Sequence, residues 1–482
     1  MTSARSLWTA DRQLPSSTEP VRFGPLVGRR DDEAMRAFRS YGLGQFIHWG
    51  LYSMLGDEWE GRSARGHAPA SEWIRQWNPE TAPEGWPEVY DALADQFDPQ
   101  GFDARAWARQ AKEMGARYVI FTTKHHDGFA LWPSEHSGTT IARSPYPGDI
   151  VGEVVGAYQA EGIDVFLYFS VLEWNHPDYV RHVPRTEEER ERWARFEQYT
   201  RAQLLELLDR YPGVKGLWFD GTWDPSWVAA HEFTHRLEQE LRAAAPGLII
   251  GSRFRGDEHG SRHVDSTGAL LGDYEQGWER KMPPNLEMLD GHDWDCVMPL
   301  PPNGWGHIRD TEGLYLKTGD DLIELLMRAR SMNGNLVINV GPDGDGALSA
   351  HENRVLAEVG AFARENAAAI YDARHVDLPE PRCGLLTGAD DTLYLTVLSV
   401  PVTGAARLAV PRDAERVPIA ARLLAGGAPL AVTWQDIGYD LDPMTYYDIA
   451  LPSAGNVEGA FVVEIDLAAP DARARDLMDA AM

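Results

Sequence analysis

What most constrains this chain is a succession of short apolar runs separated by longer amphipathic stretches, a rhythm that points to a layered α/β architecture. Leu43 to Trp49 reads as a first strand, Asp103 to Met114 as a helix, and Tyr118 to Thr123 as the next strand. Ile150 to Gln159 is helical and Ile163 to Phe169 is a third strand. A long charged helix follows over Thr186 to Arg210, where Trp193, Phe196, Leu204, Leu205 and Leu208 recur at helical spacing. Gly216 to Phe219, Leu248 to Gly251, Leu270 to Tyr274, Asp295 to Leu300 and Asn335 to Val340 supply further strands, with helices over His231 to Ala244 and Asp320 to Ser331. Strands that are apolar along their length and separated by helices are buried on both faces, which predicts an α/β fold with a parallel (β/α)8 TIM-like barrel over residues 1–375. Beyond Glu365 the texture changes. Leu393 to Val400, Ala406 to Val410, Ala421 to Leu424, Tyr446 to Leu451 and Gly459 to Ile465 follow one another without helices between them. Turn residues punctuate these runs, so residues 376–482 are expected to form a C-terminal antiparallel β-sandwich.

Composition narrows the function classes. With 482 residues the chain has room for a barrel of about 250 residues and a smaller partner domain. Its formal net charge of −29 repels phosphate backbones and anionic lipid, which argues against nucleic acid and membrane partners. No run of about twenty apolar residues occurs, so no membrane span is expected. Two cysteines, Cys296 and Cys383, are too few for a disulfide scaffold, and Met1 to Pro20 lacks the apolar core of a signal peptide. A cytoplasmic location is therefore expected, and assembly into a homo-oligomer is left open. Many of the 17 tryptophans stand beside Gly, His, Asp or Glu. Indole stacks on the flat apolar faces of sugars while carboxylates hold their hydroxyls, although any single Trp serves equally well as a core anchor.

In a barrel the chemistry gathers at the C-terminal ends of the strands. The expected first strand ends in Phe46-Ile47-His48-Trp49-Gly50, and the second runs through Thr122-Thr123-Lys124 into His125-His126-Asp127-Gly128-Phe129. The third carries Tyr168-Phe169-Ser170, the fourth Trp218-Phe219-Asp220-Gly221, and Ser252-Arg253 follows the fifth. An aspartate that closes a buried strand before a glycine is often a turn or capping residue. Beside His48, His125 and His126 on neighbouring strand ends, Asp220 reads instead as a reacting carboxylate. The paired histidines suit zinc or iron, and equally the hydroxyls of a sugar. Neighbours in sequence converge on one ion only where the backbone turns sharply, so a sugar is the expected ligand, with no metal and no cofactor. Glycoside hydrolysis also needs a second carboxyl group to protonate the leaving oxygen. Glu72, Asp273, Glu275, Glu279 and Asp295 are all candidates, and spacing does not choose among them.

On these motifs the chain resembles the α-L-fucosidases of glycoside hydrolase family 29 along most of its length. The matching segments are Phe46 to Ser53, Glu72-Trp73, Ala116-Arg117-Tyr118 through Phe129, Leu217 to Gly221, and Gly334 to Gly346. The resemblance implies a retaining exo-α-L-fucosidase with Asp220 as nucleophile. It implies Glu279 as acid/base, because Arg280-Lys281-Met282-Pro283 continues the family pattern, with Glu275 in reserve. His48, Glu72, Trp73, His125, His126 and Tyr168 are implied to contact fucose hydroxyls, with Arg253 at the edge of the site. Phe46, Tyr168, Trp218 and Trp305 are implied to wall a pocket for the C5 methyl group. Such a wall has its own rationale, since a dry aromatic surface favours a methyl and penalises a hydroxyl left unpaired. The implied partner is a fucosylated oligosaccharide or glycoconjugate. Two other readings stay open: a catalytically silent fucose-binding protein, and a metal-dependent hydrolase built on the histidines. The segment between Arg253 and Asp273 and the Trp305-Gly306-His307 run depart from the commoner family pattern, which leaves leaving-group preference open.

Overall fold

Most of the apolar runs become barrel strands in the computed structural model, which describes residues 30–470 other than 262, 290, 436–442 and 454–458. The expectation for Met1 to Pro20 lies outside these residues. Strands β1 (Leu43–Ile47), β2 (Tyr118–Lys124), β3 (Asp164–Ser170), β4 (Gly216–Asp220), β5 (Ile249–Ile250), β6 (Glu275–Glu279), β7 (Trp294–Pro299) and β8 (Asn335–Val340) form one sheet. Its order is β5-β4-β3-β2-β1-β8-β7-β6, paired in parallel. A parallel bridge between Gly251 and Tyr274 joins the two end strands. The Asp273 N–H donates to the Ile250 carbonyl (2.8 Å) and the Ser252 N–H to the Tyr274 carbonyl (3.0 Å), so the sheet curls into a barrel.

Alternate residues of a barrel strand point inward. Phe46, Ile120, Phe166, Tyr168, Trp218 and Val337 meet in the interior. Gly216 has to be bare there, because a Cβ at that position would stand 2.2 Å from the Phe166 ring. Helix α1 (Glu33–Ser40), N-capped by the Asp32 side chain, plugs the opposite end of the barrel from the site. Its Phe38 ring lies 4.6 Å from Tyr274 and 6.2 Å from Tyr118.

Helices α2 (Ala104–Met114), α3 (Ile150–Ala160), α4 (Glu187–Arg210) and α5 (His231–Ala244) follow the expected periodicity. A capping box between Thr186 and Glu189 starts α4. The alternation then breaks. Among the described residues no helix longer than one turn stands between β5 and β6 or between β6 and β7. Gly, Ser and Asp dominate the first of these connections, with no apolar periodicity to build a helix. The strand expected over Leu270 to Tyr274 is also displaced, to Glu275–Glu279. Hydrophobicity misplaced it because β6 is polar, and because its pairing register shifts between Gln276 and Trp278, which breaks strict alternation.

The chain divides into two compact units, Met1–Lys317 with Leu336–Arg354, and Thr318–Asn335 with Val355–Met482. Helix α6 (Gly319–Ser331) and most of α7 (Ala350–Glu365) thus group with the C-terminal strands rather than with the barrel. In that second unit, β9 (Gly384–Ala389), β10 (Thr392–Val397), β11 (Ala405–Pro411), β12 (Val417–Leu423), β13 (Pro429–Leu430), β14 (Val432–Gln435), β15 (Met444–Ala450) and β16 (Phe461–Ala468) form two antiparallel sheets. Their orders are β9-β10-β16-β12-β13 and β11-β15-β14. Leu395, Val397, Leu408, Ile449, Val463 and Ile465 belong to one shared core. No helix among the described residues is long and apolar enough to cross a membrane.

Candidate active site

A cavity of about 1130 Å³ opens at the C-terminal ends of the barrel strands. Asp220 is the last residue of β4, and the chain must turn away at once behind it. Gly221 makes that turn with φ of +74°, and a Cβ there would stand 2.4 Å from Leu172. The turn leaves the Asp220 carboxylate facing the cavity. Its Oδ2 accepts from the Tyr168 hydroxyl (3.0 Å) and its Oδ1 from Arg253 Nη1 (3.3 Å). Arg253, buried with its guanidinium 5.2 Å over the Trp218 ring, also pairs through Nη2 with Glu279 Oε1. One guanidinium therefore joins two carboxyl groups from different strands. Burial pushes the Glu279 carboxyl above the usual glutamate range, and the Arg253 charge pulls it part of the way back.

The histidines are fixed from behind. His48 Nδ1 lies 2.6 Å from Asn339 Oδ1, and the Asn339 amide nitrogen donates to the Trp305 carbonyl (2.7 Å). Asn339 thus offers an oxygen to His48, so Nδ1 carries the proton and Nε2 keeps a bare lone pair. His126 follows the same logic. Its Nδ1 is 2.6 Å from Ser170 Oγ, whose own hydrogen goes to the Leu172 carbonyl (2.7 Å). The His126 Nε2 lone pair then faces Asp220 Oδ2 across 3.6 Å. Burial pushes His48 and His126 down to about 3 and His125 well below its ordinary value. All three are neutral near pH 7, able to accept from a hydroxyl.

His125 and His126, adjacent in sequence, both line the cavity with ring centroids 4.2 Å apart. The cause is a bulge. Pairing of β2 with β3 shifts register between Thr122 and Lys124, after which the Gly128 N–H closes a turn on the His125 carbonyl (3.0 Å). Asp127 turns the other way and accepts from the buried Tyr90 hydroxyl (2.6 Å).

Phe46, Glu72, Trp73, Trp218 and Trp305 complete the inner wall. Trp305 stacks on His48 (5.4 Å, 25°) and Phe46 meets Trp218 edge-on (5.1 Å, 75°). Glu72 is held at its Oε2 by the Trp305 N–H (2.9 Å) and the Gly306 N–H (3.3 Å). Tyr168 is fully buried behind the wall and reaches the site through its hydroxyl. Among the other carboxylates, Asp273 is engaged by Arg30 and Arg242 (2.8 and 2.9 Å). Asp295, on β7, is buried and pushed up to about 8 by that burial. Glu275 begins β6, four positions before Glu279, and does not line the cavity, so it does not join the site. Trp223, Asp257, His263 and Arg280 also line the cavity and were not anticipated. Trp223 had a signal, being an aromatic three residues past Asp220, and Arg280 opens the Arg280-Lys281-Met282-Pro283 run directly after Glu279; Asp257 and His263 sit on a connection without any sequence pattern.

A parallel barrel presenting two carboxyl groups on one arginine, within a cup of neutral imidazoles and aromatic rings, defines a glycoside hydrolase. The family model described as α-L-fucosidase matches residues 22–368, and the chain belongs to that family. Similar proteins include the tissue α-L-fucosidase of Rattus norvegicus, 28% identical over 89% of this chain and 88% of that protein. An α-L-fucosidase of Branchiostoma floridae is 27% identical over 80% and 84%. Among solved structures, a family 29 α-L-fucosidase of Bacteroides thetaiotaomicron is 37% identical with a TM-score of 0.84, covering 94% of this chain and 100% of that one. That structure is a trapped covalent intermediate in complex with 2-fluoro-fucosyl fluoride, obtained with a Glu-to-Gln variant.

Proposed function

We propose that the protein is a retaining exo-α-L-fucosidase that removes terminal α-L-fucosyl groups from oligosaccharides or glycoconjugates. The observation that carries this reading is the Arg253 fork joining Asp220 to Glu279 at the cavity floor. Sharing one guanidinium holds the two carboxyl groups at the same cation, and double displacement calls for a separation of about 5–5.5 Å between them. Asp220 attacks the anomeric carbon while the bond to the leaving oxygen breaks, and that oxygen takes the Glu279 proton. A water then returns a proton to Glu279 as its oxygen attacks the same carbon, releasing fucose and Asp220. Burial at Glu279 supports the acid role, since the group holds its proton to higher pH than an ordinary glutamate. The covalent intermediate trapped in the 37% identical relative supports the same order of events. Phe46, Trp218 and Trp305 form the apolar wall against which the C5 methyl packs. Cytoplasmic location belongs to this proposal as well, supported by Cys296 and Cys383, both buried and unpaired.

Replacing Asp220 with Gly should lower kcat on an aryl α-L-fucoside by at least about 1,000-fold. Added azide should then restore turnover by filling the vacated space and giving the β-fucosyl azide. Retained activity without azide, or an inverted product from the wild-type enzyme, would refute the assignment.

A further inference from the structure

We infer that the inner cavity also binds one borderline-soft divalent cation, such as Zn2+, on His125, His126 and Asp220, in competition with the sugar. The proposal rests on the reading of this cavity as the fucosyl site.

Two acceptors face each other there. The Ser170 hydroxyl gives its hydrogen to Leu172 and so holds the proton of His126 on Nδ1, which leaves the Nε2 lone pair aimed at an Asp220 carboxylate oxygen 3.6 Å away. A lone pair opposite an anion needs something positive, or a hydroxyl hydrogen, between them. A zinc ion has ligand distances of about 2.0–2.1 Å, which separates two tetrahedral ligands by roughly 3.4 Å. The gap between His126 and Asp220 is already close to that spacing. His125 offers a third ligand, with all three donor atoms within 4.8 Å of one another. Its buried Nδ1 has no hydrogen-bond partner among the described residues.

Three ligands with the fourth position left to the cavity make an open site in which a water completes the shell. Ser170 acts from behind the metal ligand, as outer-shell donors and acceptors do. The Arg253 charge on the other Asp220 oxygen weakens the site and keeps occupancy reversible. Imidazole with a single carboxylate selects Zn2+ or Cu2+ over Mg2+ or Ca2+, which prefer all-oxygen shells. Because the ion and the sugar use the same lone pairs, Zn2+ is an inhibitor of this enzyme.

Titration calorimetry of the wild-type protein with ZnCl2, in a buffer that does not bind zinc, should give one site. Saturating L-fucose should raise its Kd at least tenfold, and MgCl2 should not bind. His126→Ala and Asp220→Asn should each weaken Zn2+ binding at least tenfold. On an aryl fucoside Zn2+ should raise the apparent KM without changing kcat, and EDTA should restore the metal-free rate. Zn2+ binding indifferent to L-fucose, a purely lowered kcat, or loss of activity in EDTA would overturn the proposal. The competition measurement uses the wild-type chain, so it decides the matter even where a variant fails to fold. Failure of the hydrolase reading looks different: metal-free protein would release no fucose while L-fucose still displaced Zn2+.

Discussion

Arg253 stands between two carboxyl groups whose tasks conflict with a shared cation. Its charge lowers the Glu279 pKa while burial raises it, and the upward shift prevails. Glu279 must be protonated to act as the acid, so activity is retained below its raised pKa and lost as pH rises through that value. Removing the arginine charge removes the opposing influence. In Arg253→Met the basic limb of kcat/KM should therefore move to higher pH, by on the order of one unit. The rate at the optimum should fall as well, because Asp220 loses its Nη1 donor. A pH profile of kcat/KM on an aryl fucoside with a poor leaving group checks this, and a limb shifted to lower pH would contradict it. Most of the residues around this pair could be read from the sequence because they close barrel strands, as His48, His125 and Asp220 do. Their states could not. The proton of His126 sits on Nδ1 only because Ser170 is oriented by Leu172, and no spacing in the sequence encodes that contact.

At the scale of elements, strand endings do more to place the chemistry than strand interiors. The bulge in β2 turns two neighbouring histidines into one cavity, and the register shift in β6 brings Glu279 to the same rim. Gly221 supplies the corresponding turn after β4. A methyl at that position meets Leu172 and is strained at positive φ, so Gly221→Ala should cost about 1–3 kcal/mol of stability. The strain falls on the residue next to Asp220, so kcat should drop more than KM rises. Chemical denaturation and steady-state kinetics test both parts, and a neutral effect on stability and kcat would show that the turn is not the device that aims Asp220. The β6 strand was misread for a related reason. A strand whose side chains serve a polar site loses the apolar signature by which buried strands are found.

Across the whole molecule the net charge of −29 sets the response to solvent. Like charges repel most strongly in the folded, compact state, and salt screens that repulsion. Raising NaCl from about 0.01 M to about 0.15 M shortens the screening length from roughly 30 Å to roughly 8 Å. The Tm should rise by a few degrees over that range, as followed by calorimetry. A fall in Tm would mean that the surface ion pairs, such as Arg407 with Asp448 (2.7 Å), outweigh the general repulsion. The same charge predicts no measurable binding to duplex DNA at about 0.15 M salt, which a gel-shift assay checks.

The sequence by itself determined the kind of fold, because alternating apolar and amphipathic segments of these lengths bury their surfaces most completely as a barrel with a β-rich C-terminal unit. It also determined which residue types stand at the ends of β1 to β5, since those positions follow directly from where each apolar run stops, as the polar β6 does not allow. Spacing did not choose the second carboxyl group, which only the family pattern assigned to Glu279; the tertiary structure adds that Glu279 and Asp220 share the Arg253 guanidinium. Arg253 reaches Asp220 across 33 positions, and Glu72 is fixed by backbone 233 and 234 positions away. Such pairings are set by ring closure and by loops without periodicity, and their energies depend on distance through space rather than along the chain.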